Sequence, residues 1–112
     1  MQSFYIKNSF NFCGIKISNT SKSIIIAEIS ANHNGSLRRA KNLIKEAKRS
    51  GADLIKIQTY TGNSLAINCK KKDFKISKKS PWHKHGNLWN LYENAKTPYS
   101  WHKELFKYSH KI

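Results

Sequence analysis

The sequence lacks the cysteine patterns and the long apolar runs that mark several classes of protein. Cys13 and Cys69 are its only cysteines and form no CxxC pair, which excludes a disulfide scaffold and a zinc ribbon. No apolar run approaches the roughly 18 residues that a membrane-spanning helix needs. Residues 1–10 lack the apolar stretch of a secretory signal. We therefore expect a cytoplasmic protein with no membrane partner.

Acidic residues are also scarce, and the resulting formal charge of +15 raises the question of a nucleic-acid partner. Of the 21 basic residues 18 are Lys, and Asn and Ile are abundant, as an A/T-rich coding sequence produces without selection for binding. Arg, which makes bidentate contacts with phosphates and bases, occurs only three times. We interpret the Lys-rich stretch 70–79 as a solvated loop. A small basic nucleic-acid-binding module remains an alternative from a different class.

Two apolar runs separated by a helical pattern predict a βαβ unit over residues 24–59. Residues 24–30 read IIIAEIS, a run typical of a strand buried on both faces, and residues 53–59 predict a second strand. Between them an apolar helical face begins after Ser36, a predicted N-cap, and Gly51 ends the helix. Such a unit requires parallel strands and a right-handed crossover.

The segments on either side of this unit carry shorter patterns. Residues 1–23, which include the run Phe4-Tyr5-Ile6, predict a short β-hairpin. Residues 87–95 have helical spacing, and Thr97-Pro98 predicts the N-cap and first residue of a further helix. The predicted buried side of that helix consists of Trp101, Leu105, Phe106 and Ser109. We therefore divide this α/β chain into an N-terminal β-hairpin, residues 1–23, and a second part, residues 24–112.

Polar side chains interrupt both predicted strands near their carboxyl ends. Residues two apart in a strand share a face, so Glu28 shares one with Ser30, and Lys56 shares one with Gln58. If these faces point the same way, a carboxylate, an ammonium and an amide converge where α/β folds bind ligands. The alternative is a buried salt bridge between Glu28 and Lys56, although burying two charges carries a large desolvation cost.

The residues around these side chains resemble the N-terminal part of the sialic acid synthase family. Residues 26–35 read IAEISANHNG, residues 51–53 read GAD and residues 56–61 read KIQTYT, and a Trp-rich segment over 81–106 also matches. The resemblance covers about residues 24–110. It implies the N-terminal portion of a TIM (β/α)8 barrel, preceded by the β-hairpin and truncated after about two βα units.

The resemblance implies a transferase of carbohydrate biosynthesis that condenses phosphoenolpyruvate with an N-acetylated amino sugar, giving a nine-carbon sialic-acid-like sugar and phosphate. Lys56 and Gln58 match positions that hold the phosphoenolpyruvate anion. Glu28 matches an active-site carboxylate, which either moves a proton or orients the attacking water. His33 and Asn34 lie in the loop that follows the first strand, where we expect them to take part in substrate binding. For His33, simple packing within the turn is the alternative.

The family uses a divalent metal, manganese or magnesium, held by histidines on later strands, and it forms a homodimer. This sequence has no counterparts of those ligands, and His83 and His85 lack the further ligands of a metal site. Two of eight strands cannot close a barrel, so we expect an open edge or an uncovered face. The 112-residue chain alone is therefore expected to be marginally stable and inactive. N-acetylneuraminate synthase proper and a non-functional gene remnant remain alternatives.

Overall fold

The computed structural model describes residues 9–112, so the Phe4-Tyr5-Ile6 part of the predicted hairpin lies outside the described residues. The strands and helices, in chain order, are β1 (Phe10–Phe12), β2 (Ile15–Ile17), β3 (Ile26–Ser30), α1 (Leu37–Arg49), β4 (Leu54–Ile57), α2 (Gly62–Leu65), α3 (Leu88–Ala95) and α4 (His102–Lys111). None of the helices over residues 9–112 combines the length and the apolar character needed to cross a bilayer.

The first two strands form an antiparallel hairpin within the range where the sequence predicts one. Phe10 pairs with Ile17 and Phe12 pairs with Ile15. Cys13 and Gly14 make the two-residue turn with φ values of 50° and 79°. Positive φ at both central residues is the requirement of a type I′ turn, whose twist matches that of the flanking strands. The division of the chain at residue 23 stays a prediction.

The strands β3 and β4 form the parallel pair that the sequence predicts, joined through α1. Ser36 caps α1, because its hydroxyl accepts the Arg39 N–H at 3.2 Å. At the other end Gly51 has a φ of 89°, and its N–H donates to the Lys48 carbonyl at 3.0 Å. The Ala52 N–H donates to the Ala47 carbonyl at 3.0 Å, which completes a Schellman motif. Both predicted ends of this helix are confirmed.

The hydrophobic core lies on one face of the β3–β4 sheet, beneath α1 and α4. Its buried members are Ile29, Ala40, Ile44 and Leu105. Ile55 and Ile57 pack against this group from β4. On the opposite face Ile26 is 50% exposed. The prediction that the first strand is buried on both faces is therefore wrong for residues 9–112, because the helices cover one side of the sheet only.

The second half of the chain begins with an exposed loop. All six lysines between residues 70 and 79 are exposed, as expected of a solvated loop. The helix α3 then begins after Asn87, whose side chain accepts the Asn90 N–H at 2.8 Å. These local signals act as the sequence predicts.

The start and the buried side of α4 differ from the prediction. A 3-10 turn, Tyr99–Trp101, precedes α4, and the Thr97 hydroxyl contacts the His33 ring instead of capping the helix. Phe106 is 55% exposed, whereas Leu105 is 2% exposed. The overall architecture is mixed α/β, with two two-stranded sheets and no closed barrel among residues 9–112. The α/β class is thus confirmed.

Candidate active site at the open face of the sheet

The parallel register of β3 and β4 brings Glu28 and Lys56 together. The two residues are direct partners across the strands, and the Lys56 Nζ donates to the Glu28 Oε1 at 2.9 Å. Their side chains are 51% and 56% exposed, so this pair is not the buried salt bridge that the sequence left open. An exposed ion pair contributes only about 0–1 kcal/mol to stability. Stability alone is therefore a weak reason for placing two charges here.

Gln58 lies directly after the last residue of β4, two residues beyond Lys56. Its side chain belongs to an exposed residue, while its carbonyl accepts the Thr97 N–H at 3.0 Å. The main chain of Gln58 is thus held by the segment between α3 and α4. Glu28, Lys56 and Gln58 therefore lie at or near the carboxyl ends of adjacent parallel strands, where open α/β sheets place ligands.

His33 is completely buried in the turn after β3. Its Nδ1 accepts the Gly35 N–H at 3.1 Å, which places the ring proton on Nε2, 3.1 Å from the Thr97 Oγ1. The ring also meets the Trp101 ring edge-on, at 5.3 Å between centroids. Burial lowers the pKa of His33 below 6.5, which favours this neutral form. The geometry supports turn packing, and a direct contact with substrate stays a prediction.

Asn34 lies in the turn between β3 and α1, in a left-handed backbone conformation with a φ of 48°. It lines a polar cleft together with His33, Ser36, Arg38, Arg39 and Asn42. The residues that line this cleft do not include Glu28, Lys56 or Gln58. Of the five predicted site residues, the described structure brings Glu28 and Lys56 into contact and places Gln58 directly after the strand that carries Lys56. His33 is buried in the turn, and Asn34 lines a separate cleft.

Two supporting residues were missed by the sequence analysis. The Thr97 hydroxyl contacts His33, and Glu93 accepts the N–H of Gly62 at 2.7 Å through its Oε2. The only signal for Glu93 was its rarity, since it is one of six acidic residues in a chain of charge +15. Thr97 gave a misleading signal, because Thr before Pro is typical of a helix N-cap.

Among residues 9–112, no group of three or more His, Cys, Asp or Glu side chains is arranged to hold a metal ion. Glu28 lies beside an ammonium group, which competes with a cation for the carboxylate. These residues do not by themselves fit the divalent metal that the resemblance implies.

Comparison with known proteins adds independent evidence on identity. Residues 43–112 match the NeuB family. The chain belongs to the NeuB family. It is 57% identical to the pseudaminic acid synthase of Campylobacter jejuni over 90 residues, which cover 80% of this chain and 26% of that protein. It is 46% identical to the pseudaminic acid synthase of Helicobacter pylori over 88 residues, which cover 79% of this chain and 25% of that protein.

A more distant relative of this NeuB family chain is the N,N'-diacetyllegionaminic acid synthase of Campylobacter jejuni. The identity is 43% over 56 residues, which cover 49% of this chain and 17% of that protein. The chain spans about a quarter of the length of the pseudaminic acid synthases that it matches. The family match includes Lys56 and Gln58. The resemblance to the sialic acid synthase family is thereby confirmed.

Proposed function

We propose that this NeuB family chain supplies the first strands of an enzyme that condenses phosphoenolpyruvate with an N-acetylated amino sugar, releasing phosphate. The product is a nine-carbon sialic-acid-like sugar, and the relatives named pseudaminic acid synthase favour pseudaminic acid over other members of this group. The observation that carries this proposal is the half-exposed Glu28–Lys56 pair, with Gln58 beside it, on the open face of the sheet.

The open face of β3 and β4 is the inner face of a (β/α)8 barrel in this proposal. In such a barrel the helices cover the outer face of the strands, and the active site lies at the carboxyl ends. The described helices α1 and α4 cover one face of the sheet, and Ile26, Glu28 and Lys56 lie on the other. Residues 1–23 would then be a hairpin that precedes the barrel segment 24–112.

Each side chain on the open face has a distinct task. The Lys56 ammonium attracts the carboxylate or phosphate of phosphoenolpyruvate, and the Gln58 amide orients the same anion by hydrogen bonding. Glu28 moves a proton or orients the water that attacks the substrate. Asn34 is assigned to substrate binding from the loop after β3, and His33 is assigned the support of that loop, by its contact with Thr97.

The solvent exposure of this site explains why the chain by itself is expected to be inactive. Two unit charges 4 Å apart attract by about 1 kcal/mol in water but by about 4 kcal/mol at an effective dielectric constant near 20. The remaining strands of a barrel would exclude water from Lys56 and strengthen its hold on the anion. They would also have to supply the metal ligands, and the homodimer and the cytoplasmic location stay predictions.

The nucleic-acid alternative has less support from the described structure. Stacking on single-stranded nucleic acid requires exposed aromatic rings near the lysines. Trp89 donates through its Nε1 to the Asn63 Oδ1 at 2.7 Å, and Trp101 packs against the core. Trp82, at 57% exposed, retains an accessible ring. Two of the three Trp rings that could stack on nucleic-acid bases are therefore already engaged in contacts within the chain.

A titration with phosphoenolpyruvate tests the proposed function. We expect the resonances of Lys56 and Gln58 to shift in NMR spectra, and Lys56→Ala to weaken binding by about tenfold, as for loss of a charge-assisted contact. Lys45→Ala is the matched control, because it removes an equal charge from an exposed position on α1. Equal affinity in the two variants would contradict the assignment of Lys56. Release of phosphate by this chain with amino sugar and manganese would contradict its expected inactivity.

A further inference from the structure

Glu93 is an acidic residue that the proposed chemistry does not use. It lies on α3, and its two carboxylate oxygens have different partners. The Oε2 accepts the Gly62 N–H at 2.7 Å, while the Oε1 contacts the Lys96 ammonium. A hydrogen bond to an ionised acceptor is stronger than one between neutral groups. Glu93 therefore joins α3 to the first residue of α2.

The contact between α2 and α3 is close and specific for glycine. Gly62 is buried, and a Cβ added at this position would lie 2.8 Å from the ring of Trp89. The same ring donates through its Nε1 to the side chain of Asn63 at 2.7 Å. The absence of a side chain at Gly62 thus lets its N–H reach Glu93. A larger residue there would have to displace the Trp89 ring.

This contact secures the far end of the segment that leaves β4. At the near end the Gln58 carbonyl accepts the Thr97 N–H at 3.0 Å, and the Thr59 Oγ1 lies 2.5 Å from the His102 Nε2. The segment 58–61 contains no helix or strand of its own. In the middle of the segment the Tyr60 ring meets the Tyr92 ring of α3 edge-on, at 6.2 Å between centroids. The conformation of the segment therefore depends on contacts with the second half of the chain, and Glu93 supplies a contact that has an ionised acceptor.

We propose that Glu93 is a positioning residue for the candidate active site. By holding the Gly62 N–H it orders the segment 58–62 and so holds the Gln58 amide beside Lys56. Preorganisation of this kind strengthens ligand binding, because the cost of ordering the loop is met before the ligand arrives. The inference rests on the proposed function, since Gln58 needs a fixed position only if it contacts an anion.

Four substitutions separate this role from a general effect on folding. Glu93→Ala removes both contacts, and Glu93→Gln keeps a neutral acceptor for Gly62 but loses the ion pair. Lys96→Met removes the ion pair and leaves the Gly62 bond. Glu46→Gln is the control, because Glu46 likewise pairs with a basic residue three positions later, Arg49, but is exposed and lies on α1, away from the segment 58–62. Melting temperature and circular dichroism report on the fold of each variant.

The two decisive measurements are amide hydrogen exchange over residues 59–62 and the dissociation constant for phosphoenolpyruvate. We expect Glu93→Ala to raise exchange in this segment and to weaken binding by about tenfold, with a melting temperature close to that of Glu46→Gln. Glu93→Gln should rescue part of both losses. Lys96→Met should resemble the parent chain. If Glu93→Ala does not fold, the comparison of Glu93→Gln with Lys96→Met decides the same question.

Two outcomes would overturn the inference, and they are distinguishable. If the parent chain binds phosphoenolpyruvate and the Glu93 variants match Glu46→Gln in affinity, the positioning role is wrong while the proposed function stands. If the parent chain does not bind phosphoenolpyruvate, the proposed function fails for this chain, and the positioning role fails with it, whatever the exchange rates show.

Discussion

The two faces of the β3–β4 sheet differ in what covers them. On one face Ile29 is 5% exposed, and Ile55 and Ile57 pack with it beneath α1 and α4. On the other face the side chains of Glu28 and Lys56 are about half exposed. Burial of apolar area is the dominant favourable contribution to folding, whereas an exposed ion pair contributes little. The residues that stabilise the fold and the residues of the candidate active site thus lie on opposite faces of the same two strands. Substitutions can therefore change the stability and the site separately.

The largest effect on the free energy of unfolding is expected on the face of the sheet that α1 and α4 cover. Leu105→Ala should lower the free energy of unfolding by about 2–5 kcal/mol, because it leaves a cavity among residues that cannot close it fully. Urea denaturation followed by circular dichroism measures this loss. Phe106→Ala is the control. The Phe106 side chain follows Leu105 in the chain but is 55% exposed, so its removal should lower the free energy of unfolding much less. Equal losses in the two variants would show that the covered face is not the source of stability.

A smaller effect on the free energy of unfolding is expected from His33, which lies in the turn after β3. Its pKa in the folded chain is lowered below the ordinary 6.5 by burial, so the unfolded chain binds the proton more readily. The stability from the neutral ring is present in full above about pH 6.5 and is lost as the pH falls towards the lowered value. The slope contributed by one such group is at most about 1.4 kcal/mol per pH unit.

Urea midpoints between pH 8 and pH 5, taken with about 0.5-unit spacing, measure this dependence on pH. His33→Asn should flatten the profile below about pH 6.5, because its side chain does not titrate in this range. Asn42→Ala is the control, because it changes an exposed residue of α1 that carries no titratable group and should leave the shape of the profile unchanged. A parent profile that stays flat across this range would contradict a buried neutral His33.

The smallest effect on stability is expected on the open face. Glu28→Gln should change the free energy of unfolding by only about 0–1 kcal/mol, because it breaks an exposed pair. The same variant should alter the chemical shift of the Lys56 side chain, which loses its charged partner. A loss as large as that of Leu105→Ala would mean that the pair supports the fold, and the comparison of the two faces would fail.

Local signals made the βαβ unit predictable. Ser36 lies directly before an amphipathic pattern, and Gly51 follows its end, so both ends of α1 depend on residues within the helix and its flanks. The sequence also placed Glu28 and Lys56 on the two strands of this unit, whereas the register between Glu28 and Ser30 is irregular, so the predicted sharing of a face by these two residues stays a prediction. The parallel register then brought Glu28 and Lys56 into direct contact.

Contacts between distant residues were not predictable in the same way. Thr97 followed by Pro98 indicated a helix N-cap, yet the hydroxyl contacts His33, which lies 64 positions earlier in the chain. The contact of Glu93 with Gly62 spans 31 positions, and no periodic pattern marks it. The Thr97 hydroxyl does not cap the helix because the buried His33 ring requires a hydrogen-bond partner, and the sequence near Thr97 does not indicate this requirement.

The sequence by itself determined the family resemblance, the α/β class, the ends of α1 and the identity of the charged pair, because each depends on residue types at short spacing. Only the tertiary structure decided that the Glu28–Lys56 pair is exposed, that His33 is buried, and that Glu93 accepts the N–H of Gly62. The physical reason is that exposure and hydrogen-bond partners depend on which distant helices cover a face of the sheet, and spacing along the chain does not record this.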